Sequence, residues 1–312
     1  MRVTTSTSSR RSTPGCSDGF SLVEMLVALT VFSLVGAAAL TLATSARKVF
    51  EQDRNRTAVN QNLRSGIDLL GIDVRQAGER MPGDAPAIEI TNGASNAPDQ
   101  LTVRRNLLDY VLPVCKNINN TSAADAVFVA KNGGGSVPPG CAPVPDSNGD
   151  GWPDNIEAWR NYRIANGGSV LAYIYNPVTH FGEFFHYDAE DNSDFHIHRA
   201  NTDNWQYDYP KNQQPRIYII DQKRFLLSGD VLQYIANEDT AHPVNLVNHL
   251  TDFQARALMD DGTALTTMPA TTGWTHLQSV EVKLVGTATF SGRTMRRTLM
   301  SRFFPRNVLS NQ

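Results

Sequence analysis

Gly19-Phe20-Ser21-Leu22-Val23-Glu24-Met25-Leu26 opens the stretch that decides the fold, FSLVEMLVALTVFSLVGAAALTLATSA over residues 20–46. One charge, Glu24, interrupts it, and residues 25–43 are nineteen positions without any. At about 1.5 Å per helical residue, that run approaches the roughly 30 Å of a bilayer core. The leader before it holds Arg2, Arg10 and Arg11, one acid at Asp18, and no apolar core. It therefore lacks the short apolar region and small-residue cut site of a secretory signal. A basic leader stays in the cytoplasm, which puts the rest of the chain on the other side. Glu24 is the anomaly, because a carboxylate inside an apolar span is costly and marks function. Cleavage after Gly19 would supply its partner. The new amine of Phe20 lies four residues before Glu24, and the two groups can pair within one chain or between neighbours.

In these residues the chain resembles the type IV prepilins and pseudopilins, whose class III signal is a glycine, a short F-S-L-V-E-like segment and a long apolar run. The resemblance implies cleavage after Gly19 by a membrane-embedded prepilin peptidase and methylation of the Phe20 amine. It also implies that Glu24 registers each incoming subunit by meeting a neighbour's free amine. The whole chain of 312 residues has 28 bases against 31 acids, a net charge of -3. Removing residues 1–19, with three arginines and one aspartate, leaves 25 against 30, a net charge of -5. Neither balance offers a basic surplus, so no nucleic-acid partner is expected. At 41% hydrophobic and 19% charged, the composition excludes collagen, a charged coiled coil and a wholly disordered chain.

Past the apolar run, Arg47, Lys48 and Glu51 mark exit into water. Val59, Leu63, Ile67, Leu70, Val74 and Ala77 are then spaced 4, 4, 3, 4 and 3, one apolar stripe for a helix laid on a sheet. Met81-Pro82-Gly83 supplies the stop, so one helix is predicted from Phe20 to about Gly78. Gly36, Gly66 and Gly71 are where local melting would start. The remainder reads as strands and loops. The best strands are 100–104, 126–130, 170–175, 181–187, 216–221, 224–227, 277–286 and 296–304, while 244–259 reads as either a short helix or a strand pair. The predicted fold is α+β: a transmembrane then amphipathic helix packed on an antiparallel head, pilin-like, with a loop-rich insertion. The organisation is a leader (1–19), a transmembrane half-helix (20–46), an amphipathic half-helix (47–80) and a head (81–312) with the insertion at about 115–215. Trp274-Thr275-His276-Leu277-Gln278-Ser279-Val280-Glu281-Val282-Lys283-Leu284, then Arg296-Arg297 and Phe303-Phe304-Pro305-Arg306-Asn307, resemble the end of PilW-type minor pilins. Phe304-Pro305 departs from the usual apolar run of that ending.

Residues 146–157 read D-S-N-G-D-G-W-P-D-N-I-E. Counting Asp146 as the first, oxygen ligands fall at Asn148, Asp150, Asp154 and Glu157, with the backbone carbonyl of Trp152 and a turn at Gly151. That is the spacing of a twelve-residue calcium loop, because a hard ion needs six or seven converging oxygens. The proline-rich segment 137–145 cannot form an entering helix, so the loop resembles the isolated calcium loops of extracellular proteins. The predicted cofactor is a structural calcium ion that pins the insertion, and the alternative is an acidic turn without metal. Cys115 and Cys141 flank the preceding Gly/Pro stretch. An oxidising compartment favours a bridge closing 27 residues, contributing on the order of 3 kcal/mol, with two buried thiols as the alternative. Cys16 lacks a lipoprotein context.

His180, His186, His196 and His198 gather within nineteen residues, but zinc needs three or four converging ligands and only His196 and His198 share a strand face. No catalytic or nucleotide motif appears, and no enzymatic activity is expected. Trp205, Tyr207 and Tyr209 either form an exposed binding rim or pack back on the sheet. The resemblance implies a minor pilin that primes type IV pilus assembly. The alternatives are a J-type pseudopilin of type II secretion and a surface adhesin acting through the insertion. Its implied partners are the peptidase, other minor pilins, the major pilin and the inner-membrane assembly platform. It would first span the inner membrane once with its head in the periplasm, and then join the pilus at or near the tip.

Overall fold

The computed structural model describes residues 19–121, 123–130, 141, 145–200, 204–269, 276–290 and 293–309. The chain divides into two compact units, Met1–Arg54 and Asn55–Gln312. Helix α1 (Leu22–Gln76) begins in the first and ends in the second. In the first unit, every described residue up to Phe50 is exposed except the half-buried Gly36. Phe20 is 85% exposed and Phe32 78%. The helix is long and apolar enough to cross a membrane, and its apolar window buries nothing within the chain.

The second unit follows from the stripe. All six predicted positions, Val59 through Ala77, are buried, and the five larger ones each contribute about 1.5–3 kcal/mol through the area removed from water. After α1 come β1 (Ile88–Thr91), β2 (Gln100–Asn106), the short β3 (Leu112–Pro113) and β4 (Ala126–Phe128). Helix α2 (Asp154–Ala165) precedes β5 (Val170–Tyr175), β6 (Gly182–Asp191) and β7 (His196–Arg199). Next are β8 (Arg216–Ser228), β9 (Val231–Ala236), β10 (Val244–Val247) and β11 (Leu250–Met259). β12 (Ala264–Leu265), β13 (Leu277–Phe290), β14 (Arg293–Phe303) and α3 (Arg306–Leu309) complete the described chain.

Among the described residues all strand pairs are antiparallel, in two sheets. The smaller runs β12-β11-β13-β14. The larger is organised by β8, whose thirteen residues pair with β2, β3, β5 and β9. β5 is buried at every position because it serves two cores. Leu171, Tyr173 and Tyr175 join the core beneath α1, and Val170, Ala172 and Ile174 join a second core with Ile156, Trp159, Tyr187, Trp205 and Tyr209. Successive side chains of a strand point to opposite faces, so one strand can close both.

Several sequence expectations change. Residues 216–227 form one strand, not two, because the polar pair in the supposed gap finds partners: Gln222 accepts from Arg104 Nε at 2.6 Å, and Lys223 Nζ donates to Asp73 at 2.7 Å. Residues 244–259 form two strands with different partners, β10 on β9 and β11 on β13. Helix α2 was unforeseen. Its buried Ile156 and Trp159 stand three apart, and Asp154 and Glu157 suit a helix first turn as well as they suit a metal loop. Gly66 and Gly71 are not melted. They are the points of closest approach to the smaller sheet: a Cβ on Gly66 would stand 2.9 Å from Leu284, and one on Gly71 would enter the Phe303 ring.

Gly71→Ala is therefore expected to destabilise by about 1–3 kcal/mol through overpacking, outweighing the helix preference of alanine, up to about 1 kcal/mol. Thermal unfolding in detergent measures this, and Phe303→Leu in the same chain should recover part of the loss. An unchanged or higher Tm for Gly71→Ala alone would show that the contact is not limiting.

Candidate functional site

The start of α1 is built by a reciprocal pair of contacts. The Ser21 side-chain oxygen accepts from the Val23 amide at 3.3 Å, and Glu24 Oε2 accepts from the Ser21 amide at 3.0 Å. A serine at the helix cap and a glutamate three residues on satisfy two of the amides that a helix start leaves without partners. Ser21 was not among the residues expected to matter, and Glu24 was expected to act only as a charge. The S-x-x-E spacing could have found it. Gly19 and Phe20 precede this cap, both exposed, with no described residue within 4 Å of the space a Gly19 side chain would fill. The scissile bond of the predicted cut thus lies in exposed, non-helical chain directly before the helix start.

In the second unit, Asp146 accepts three loop amides: Gly149 at 2.7 Å, Asp150 at 3.2 Å and Gly151 at 2.8 Å. Gly151, at φ +90°, makes the turn that the predicted loop requires of its sixth position. Asp150 accepts from the Trp152 amide at 2.9 Å, and the Asn148 amide group donates to Glu157 at 3.2 Å. Asp154 instead takes both the Ser147 amide, at 2.9 Å, and the Ser147 hydroxyl, at 2.6 Å, which hold its carboxyl below the usual range. The turn and the exiting helix suit an oxygen-lined loop. The acids do not converge: among the described residues no group of three or more His, Cys, Asp or Glu is placed to hold a metal.

α2 carries Glu157 and is anchored firmly. Glu190 receives both Arg163 nitrogens at 2.8 Å and the Tyr187 hydroxyl at 2.6 Å, with Arg160 at 3.3 Å. Burial raises the Glu190 pKa, but the Arg163 and Tyr187 bonds and the two positive charges outweigh it and hold it low. Cys115 and Cys141 are joined in a disulfide, their Cα atoms 5.7 Å apart. His196 and His198 lie side by side on β7, rings 4.6 Å apart, but His196 packs on Phe128 and His198 meets Asp125 at 3.3 Å. The aromatic rim divides: Trp205 and Tyr209 are buried, while Tyr207 stacks on the exposed Phe181 at 4.7 Å. Buried Glu183 fixes that segment by accepting the Gln206 amide and the Tyr209 hydroxyl, each at 3.0 Å.

Together these features define an α+β protein with a pilin-like head and, among the described residues, one helix long and apolar enough to cross a membrane. Residues 16–40 match the family described as the prokaryotic N-terminal methylation motif. No curated protein and no solved structure matches the chain. The motif and the apolar N-terminal helix support membership of the type IV pilin and pseudopilin superfamily.

The helix-start contact of Glu24 is separable from its charge. Glu24→Gln keeps an acceptor for the Ser21 amide and should leave hydrogen exchange at residues 22–25 unchanged in detergent. Glu24→Ala should speed it about fivefold, the equivalent of a lost cap worth ~1 kcal/mol. Equal protection in both variants would remove Glu24 from the helix start.

Proposed function

We propose that the protein is a non-enzymatic minor pilin of the PilW type that takes part in priming and assembly of a type IV pilus, at or near its tip. The observation that carries this reading is the exposed Gly19–Phe20 junction directly ahead of the Ser21–Glu24 cap. The basic leader and apolar helix hold the precursor in the inner membrane with its head in the periplasm. The prepilin peptidase cuts after Gly19 and frees the Phe20 amine for methylation. One Glu24 oxygen stays on the Ser21 amide, and a carboxylate has a second oxygen with which to receive a neighbour's amine. Phe20, Leu22, Val27, Val31 and Leu34, all more than half exposed, become buried between the helices of other minor pilins and the major pilin as the assembly platform draws the subunit in. A Glu24 out of register then stays unpaired in an apolar surrounding, which penalises wrong docking.

Intact mass and N-terminal sequencing of the protein from membranes with and without the peptidase test this. A peptidase-dependent start at Phe20, heavier by about 14 Da for a methyl group, is expected. A chain beginning at Met1 in both strains would sink the pilin reading. Recovery with a secretion complex and absence from sheared pili would move the protein to the pseudopilins.

The loop at 146–157 carries a second part of the proposal, a structural calcium ion held by Asp146, Asn148, Asp150, the Trp152 carbonyl, Asp154 and Glu157. What supports it is the turn at Gly151 and the placement of Glu157 on a helix leaving the loop. Binding draws Asp154 away from Ser147 and gathers acids that stand apart without the ion. About 5 mM calcium suffices for a weak extracellular loop and should raise Tm relative to chelator. Asp146→Asn with Glu157→Gln should abolish the rise, and an equal Tm with and without calcium in the unaltered protein leaves a plain acidic turn.

A further inference from the structure

The β13–β14 hairpin overruns its sheet. β11 accompanies β13 only as far as Leu250 opposite Gly286. Beyond that, four pairs from Thr287↔Arg296 to Phe290↔Arg293 have no third strand among the described residues. At about 3.3 Å per residue, the overhang extends roughly 13 Å.

Its direction is fixed by contacts inside the head. Phe303, which pairs with Val280, lies at Gly71, Leu284 lies at Gly66, and Gly286 lies at Val59 and Leu63. Advancing along β13 therefore means moving back along α1 toward residue 55. The overhang occupies the end of the head from which nine residues, 47–55, lead to the apolar run.

That end is unusually basic. Residues 287–297 contain Arg293, Arg296 and Arg297 and no acid, in a chain whose net charge is -3. Arg293 and Arg296 lie in the overhang, and Arg297, opposite Gly286, stands at its base. Arg296 is exposed and forms no ion pair with a described residue, and Arg297 Nε is buried without an acceptor. A two-stranded ribbon is marginal in water, and beyond Ala288, which packs on the core, this one has no further strand among the described residues.

We infer that this overhang docks on the anionic phospholipid headgroups of the membrane that α1 spans, and so steadies the head of the unassembled subunit. The inference rests on α1 being a membrane span. Charge complementarity and position favour lipid over an acidic protein. A head tethered by nine residues meets its own bilayer at high effective concentration, whereas a protein must diffuse to it.

The full chain carrying Cys16→Ser and Thr294→Cys is labelled at position 294 and placed in nanodiscs containing a headgroup-attached quencher. One set is pure phosphatidylcholine, and the other holds about 30% phosphatidylglycerol. Quenching should be several-fold stronger in the anionic set and fall as salt rises from about 0.05 to 0.5 M. At about fivefold per arginine, Arg296→Glu with Arg297→Glu should lower the docked-to-free ratio at least about 25-fold, while the paired Lys variants retain docking. Equal quenching in both lipids, with α1 amides still protected from exchange, overturns docking and leaves the membrane span standing. Unprotected α1 amides overturn both. Loss of a co-purifying acidic subunit from the Glu variants, with lipid quenching unchanged, overturns it in favour of a protein surface.

Discussion

The head depends on how closely α1 can approach the β11–β14 sheet. Gly66 and Gly71 on the helix, and Gly286 on β13, leave no side chain where Leu284, Phe303 and Val59 need the room. A helix held farther out would open gaps along a stripe whose six apolar residues are each nearly or fully buried. The same contacts set the register of β13 along the helix, and β13 in turn positions β11 and β14. Glycine costs helix stability in isolation, yet here the packing it permits outweighs that cost.

The first unit faces a different requirement. Its helical residues bury nothing within the chain, so their apolar surface is a demand on the surroundings, met by lipid or by other helices. Glu24 sits where that demand begins. It answers a local need, the Ser21 amide, with one of its two oxygens.

The second core shows how a head built on one helix supports a large insertion. β5 and β8 present alternate residues to both cores, so the elements around Trp159, Trp205 and Tyr209 are anchored by strands that the α1 core already fixes. Arg163, Tyr187 and Glu190 then tie α2 to β6, and the Cys115–Cys141 bridge ties the entry of the insertion to the segment before the acidic loop.

The α1 stripe and the Val170–Tyr175 strand were legible in sequence because each rests on periodicity, a property of neighbouring residues. So was the methylation motif, since glycine, carboxylate and apolar run lie within a few positions of one another. Asp154 and Glu157 were not legible as helix residues, because the same acids suit a metal loop and a helix start, and only the burial of Ile156 and Trp159 decides between them. The two glycines looked like weaknesses because their partners, Leu284 and Phe303, lie more than two hundred residues away. By itself the sequence determined the apolar run, the long first helix and the residues of that helix that face inward, all consequences of local pattern. Only the tertiary structure decided which faces share a core, how near the helix comes, and which arginines are left without an acid, because those depend on distances between segments that no local spacing encodes.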